Sequence, residues 1–133
     1  MQIRCAAFAL LYAVCATAFA QEKLPSELAG MGVTNGGRGL TEAPWSIVIA
    51  SQEPDGVIKG KMNWAGRACN FTDLPFSGTY RDGTLELTAP EINSRCGAWT
   101  IKMKRTGASE FAFEGSATTE RSQFPSTVTL KPR

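Results

Sequence analysis

Residues 75–89, Pro75-Phe76-Ser77-Gly78-Thr79-Tyr80-Arg81-Asp82-Gly83-Thr84-Leu85-Glu86-Leu87-Thr88-Ala89, decide the fold. Asp82-Gly83 is a two-residue hairpin signal, because both residues tolerate the positive φ of a type I′ turn. Folding the chain there sets Arg81 against Thr84, Tyr80 against Leu85, Gly78 against Leu87 and Phe76 against Ala89. The last three pairs lie on one face. Thr79 with Glu86 and Ser77 with Thr88 fill the other. Turn chemistry and face pattern agree independently, and a slip of one residue would turn every side chain over.

The same period of two extends in both directions. Trp45, Ile47 and Ile49 fall on one face of a strand, Pro54-Asp55-Gly56 supplies a turn, and Ile58, Met62 and Trp64 return with Lys59, Lys61 and Asn63 opposite. Downstream, Trp99, Ile101 and Met103 alternate with Thr100, Lys102 and Lys104. Thr106-Gly107-Ala108 turns the chain toward Phe111 and Phe113. Pairing Met103 with Phe111 and Ile101 with Phe113 keeps the apolar faces together and sets Lys104 opposite Glu110. Val128 and Leu130 form a last strand before Pro132. Beyond the first twenty residues no stretch carries a helical period.

The expected fold is therefore all-β, an antiparallel meander of about 7–8 short strands. Such strands must close into a small barrel or flattened barrel, or fold as a sandwich. An immunoglobulin sandwich places a tryptophan between its two cysteines. Here Trp64 precedes Cys69 and Trp99 follows Cys96, which favours the barrel.

The first residues stand apart. Arg4 is followed by an apolar run from Cys5 to Phe19, and Ala18-Phe19-Ala20 is an A-x-A cleavage site. Residues 1–20 read as a signal peptide, too short in its apolar run for a membrane span of about 20 residues. The expected organisation is a leader over 1–20, a flexible Gly-rich N-terminal segment or opening hairpin over 21–44, and a β-barrel-like domain over 45–133. Within 21–44, Ser26-Glu27-Leu28-Ala29 offers one helical turn at most. Export places the protein in the periplasm or outside the cell. Cys69 and Cys96, left after cleavage, are expected to form a disulfide there.

Composition narrows the chemistry. The chain holds 133 residues, no histidine, and a net charge of +2. A Ser-His-Asp triad, a Cys-His dyad and any histidine-ligated metal site are impossible. The balanced charge gives no case for nucleic acid, and no later segment is apolar enough for a transmembrane helix. No catalytic motif is present. The Asn70-Phe71-Thr72 stretch matches a glycosylation sequon.

Three groups of residues remain as candidates. Trp45, Trp64, Tyr80, Trp99, Phe111 and Phe113 fall on dry faces, where they fill a barrel or line a ligand cavity. Their indole N–H groups need acceptors, and Gly60 and Gly78 leave room beside the rings. The acids Asp73, Asp82, Glu86, Glu91, Glu110, Glu114 and Glu120 form the second group. Asp73 and Glu91 are the candidate oxygen ligands for a divalent cation, the one cofactor these residues suggest. Two such acids are also what a glycosidase-type hydrolase needs. Lys59, Lys61, Lys102, Lys104 and Arg105, the third group, are expected to share one outer surface, either as ordinary solvated strand positions or to meet an acidic partner or lipid headgroups.

In size, leader, strand count and aromatic-rich meander, residues 45–131 resemble the calycin-type secreted barrels, the lipocalins and avidin-like proteins. Ala43-Pro44-Trp45 stands where the lipocalin first strand carries G-x-W, with alanine in place of glycine. The resemblance implies a closed barrel and carries over no binding residue. The functional expectation is a non-catalytic binding protein taking a small ligand or a protein partner. A metal-scavenging protein and a two-carboxylate hydrolase are the alternatives. An opening between Trp64 and Trp99 would favour a small molecule. A solid interior would favour recognition of a protein by the surface.

Overall fold

A computed structural model of the chain describes residues 22–36, 39–66, 69–107, 109–121 and 126–133. The leader reading of 1–20 falls outside them. Eight strands follow in chain order: β1 (Glu27–Gly36), β2 (Gly39–Gln52), β3 (Val57–Trp64), β4 (Phe71–Arg81), β5 (Thr84–Ala89), β6 (Trp99–Arg105), β7 (Phe113–Thr119) and β8 (Ser126–Pro132). Each pairs antiparallel with the next, and β8 returns to β1, closing a barrel. One circuit of the pairings advances about ten residues along β1, a stagger that tilts the strands and sets the interior width.

The central hairpin has the register its turn dictates. Tyr80 faces Leu85, Gly78 faces Leu87 and Ser77 faces Thr88. Asp82 and Gly83 take φ of 52° and 74°, as a type I′ turn requires. The β2–β3 hairpin also follows its pattern, pairing Trp45 with Trp64 and Ile47 with Met62. Its turn is tied by the Val57 N–H donating to Asp55 Oδ1 at 3.1 Å.

Two expectations need correction. Residues 21–44 are not an irregular segment before the domain. Glu27–Gly36 is β1, paired on both sides, and the start of β2 lies within the same stretch. Ser26–Ala29 therefore forms no helical turn. The barrel begins near residue 27 rather than 45. Glycines at 30 and 32 stand at inward positions between Leu28 and the hairpin tip, so the alternation carries no apolar signal to read. Gly32 is small because the Trp64 and Trp45 rings press on it: a Cβ there would lie 2.7 Å from Trp64 Cζ3.

The β6–β7 pairing is displaced by four residues. Met103 faces Gly115, Ile101 faces Ala117, Lys104 faces Glu114 and Arg105 faces Phe113. An even shift keeps the apolar faces together, so alternation cannot distinguish the two registers. Volume does: the large side chains of β6 need small inward neighbours, and Gly115 and Ala117 supply them. Phe111 is left outside the strands, with the Arg105 guanidinium 4.2 Å above its ring.

The core is the barrel interior. Leu28, Trp45, Ile47, Ile58, Met62, Leu85, Leu87, Ile101, Met103, Phe113 and Val128 are fully buried there. The Cys69–Cys96 disulfide is formed, with Cα atoms 5.8 Å apart. It links the β3–β4 connection to the β5–β6 connection across one barrel end. At the opposite end, Leu24 is buried and Gln52 holds the chain before β1 by two hydrogen bonds. Its Oε1 accepts from Leu24 N–H at 2.8 Å, and its Nε2 donates to the Glu22 carbonyl at 2.9 Å.

Candidate functional site

The six aromatic candidates do not form one site. Trp45, Trp64 and Trp99 gather at the disulfide end, joined by Phe71. Trp45 sits between the other two, with ring centroids 5.1 Å from Trp64 and 5.5 Å from Trp99. Phe71 closes the group edge-on, 5.4 Å from Trp45 and 5.6 Å from Trp99. Tyr80 and Phe113 lie at the far end in a T-shaped pair at 5.8 Å. Phe111 lies before β7, half-buried and packed against the core at its edge. Phe71 escapes an alternation argument because β4 is irregular before Leu74, where Asp73 takes φ of 52°.

The room expected beside Gly60 and Gly78 is occupied. A Cβ at Gly60 would meet the Val48 carbonyl at 1.9 Å and the Phe76 ring at 2.9 Å. One at Gly78 would meet the Glu86 carbonyl at 1.9 Å. These glycines let strands approach closely and open no cavity. The Nε1 donors of Trp45 and Trp99 are buried without acceptors, an arrangement that costs about 1–3 kcal/mol per group.

The acids do not converge. Asp73 N–H is held by Asn63 Oδ1 at 2.8 Å, fixing the β4 irregularity. Glu91 pairs with Arg121 at 3.6 Å, and Glu86 with Lys102 at 3.5 Å. Glu120 Oε1 accepts the Ala98 N–H at 2.7 Å. Among the described residues no three acids or cysteines converge as a metal site. Glu22, which no motif marks, makes the densest polar contact: it pairs with Arg105 and accepts the Tyr80 hydroxyl at 3.3 Å. Burial raises the Tyr80 phenol above its ordinary value of 10.0, the Arg105 hydrogen bond lowers it, and the Glu22 charge adds to the rise.

The basic residues do not share a surface. β4 and β5 separate Lys59 and Lys61 from Lys102 and Lys104, and Arg105 turns to Glu22 at the barrel end. Asn70 of the sequon is exposed, its Nδ2 donating to the Gly66 carbonyl at 3.1 Å.

Most outward positions are hydroxyls or charges. β4 to β8 present Ser77, Thr79, Glu86, Thr88, Thr100, Lys102, Ser116, Thr127 and Thr129, among others. A barrel that spans a membrane needs an apolar outer belt instead. No helix among the described residues is long and apolar enough to cross one.

The exception is the outer face of β1 and β2. Ala29, Met31 and Val33 of β1 stand beside Pro44 of β2, with Val48 at one end and Leu40 at the other. Leu40 is 74% and Val48 42% exposed, the exposed large hydrophobics of the described residues. The hairpin also runs past its neighbours. The β2–β3 ladder begins at Trp45, the Ala65 N–H donates to the Pro44 carbonyl at 3.2 Å, and residues 39–43 have β1 as their ladder partner. Ser46 and Glu42 interrupt the β2 row, so the apolar patch is half-buried Ala29, Met31 and Val33 with Pro44 beside them, flanked by exposed Val48 and Leu40. An apolar patch on a wall otherwise polar marks a contact surface. Comparison of the chain with protein-family models, with curated proteins and with solved structures finds no match.

Proposed function

We propose that this chain is an exported, non-catalytic binding protein of calycin-like build that recognises a protein partner through the outer face of β1 and β2. The observation that carries the reading is the apolar patch of Ala29, Met31, Val33 and Pro44, with exposed Val48 and Leu40 at its ends, on a wall otherwise made of hydroxyls and charges. Ring-to-ring contact from Trp64 through Trp45 to Trp99 supports it from the other side, since those rings pack against one another inside the barrel. Burying the patch removes apolar area from water at about 25 cal/mol per Å². The surrounding hydroxyls form a polar rim. A disulfide stabilising the barrel end is consistent with life in an oxidising compartment.

Native mass spectrometry of the protein purified from its own host tests this. The expected spectrum shows a protein–protein complex, without retained small molecule, that disappears in Leu40→Asp. A small molecule retained by both forms, with no complex, refutes it. The unsatisfied Trp45 and Trp99 N–H groups favour a second reading, a small acceptor-bearing ligand at the aromatic end. That ligand would be the retained mass, and adding it back would shift the tryptophan fluorescence.

A further inference from the structure

The charges bordering the apolar patch are few and their placement is specific. Glu27 is already paired with Arg133 at 2.6 Å, and exposed Lys61 of β3 stands beside Val48 at one end. Glu42 and Lys131 are exposed, and neither has an ion-pair partner among the described residues. Glu42 lies on β2 opposite Val33, and Lys131 lies on β8 opposite Ala29. Met31 is therefore midway between them, both along the strands and across them.

We propose that the protein seated on this face is a second copy of this chain, related by a two-fold axis through Met31. The inference rests on the reading of the face as a binding surface, and it names the occupant. An isologous contact requires that whatever one copy presents, the other answers. An axis lying in the face, perpendicular to the line from Glu42 to Lys131, does this. It places Glu42 on Lys131 of the second copy, and Lys131 on its Glu42. With strands about 4.8 Å apart and a rise of about 3.3 Å per residue, the same axis stacks Met31 on Met31 and brings Pro44 near Ala29 of the other copy. The strands of the two copies then cross at roughly 70°, within the orthogonal class of sheet packing. No like charges meet. A partner of uniform charge would satisfy one corner of the face and oppose the other.

The face spans three strands and about eight residues, roughly 400 Å² of flat area per copy. That is below the usual size of about 800 Å² per partner, so the dimer is weak and concentration-dependent.

Sedimentation equilibrium of the exported, disulfide-intact protein from about 1 µM to about 1 mM tests it. The expected result is a monomer–dimer equilibrium. Glu42→Lys weakens association about ten-fold or more, because two like-charge contacts replace two ion pairs. Lys131→Glu does the same. The double variant E42K/K131E restores association to within about three-fold of the parent, since each pair is rebuilt with its signs exchanged. Near-UV circular dichroism confirms that each variant is folded. A monomer across the whole range overturns the proposal, as does a dimer indifferent to either single change or a double variant that stays weak. If the protein is monomeric while Leu40→Asp still abolishes a complex in native mass spectrometry, only the identity of the partner falls.

Discussion

Replacing Cys69 and Cys96 together by alanine tests how far the barrel depends on its single covalent tie. The bridge joins residues 27 apart in sequence. A loop of about 28 residues, in the chain-entropy model, stabilises the fold by roughly 3.5 kcal/mol by restricting the unfolded chain. Cys96 is also buried, so its truncation removes contacts and adds to the loss. Domains of this size hold only about 5–15 kcal/mol in total. At about 2.1 cal/mol/K of unfolding entropy per residue, a loss of about 3.5 kcal/mol lowers the melting temperature by roughly 15 °C. The assay is urea and thermal denaturation of the oxidised protein, the reduced protein and C69A/C96A. Reduced and variant forms should fall together, with a larger m-value because their unfolded chains are more expanded. A fall of less than about 4 °C in both, near what about 1 kcal/mol would give, refutes the idea that this bridge supplies a large share of the stability.

Gly32→Ala drives a Cβ to 2.7 Å from Trp64 Cζ3 and 3.2 Å from Trp45 Cε3. The expected loss is about 1–3 kcal/mol by overpacking, with a weakened near-UV tryptophan signal; urea curves that superimpose on the parent would show that the rings are not seated there. Tyr80 titrates above its ordinary value of 10.0, so the fold keeps a proton that the unfolded chain loses. Its contribution is whole below pH 10 and declines as pH rises through the folded value, so stability falls in alkali and Tyr80→Phe removes that part of the slope. In a chain lacking residues 1–20 Tyr80 is the sole tyrosine, and an ultraviolet titration with a midpoint at or below 10 refutes the shift.

What the amino-acid order reveals depends on where the information lies. At Asp82-Gly83 a local conformational demand and a period-two pattern coincide, and the register follows. The pairing of Trp45 with Trp64 is legible for the same reason. The β6–β7 register is not, because both candidates keep parity and only the volume of Gly115 and Ala117 opposite Met103 and Ile101 decides between them. β1 is hidden because Gly30 and Gly32 occupy the inward positions where an alternating pattern would show. The apolar patch follows suit, since Ala29, Met31 and Val33 have meaning only once β1 is known to be a strand. Phe71 is masked by the irregularity at Asp73. The polar group of Glu22, Tyr80 and Arg105 joins residues 83 apart and has no local signature.

The way β8 completes the wall has a consequence for biogenesis. Residues 126–132 are paired on one flank to β1 and on the other to β7. Until that ribbon is in place, two bare flanks stay open, and both invite cross-pairing with other nascent chains. The polypeptide thus gains its protection from aggregation late and all at once. Loss of Ser126–Pro132 would leave the flanks of both β1 and β7 unpaired.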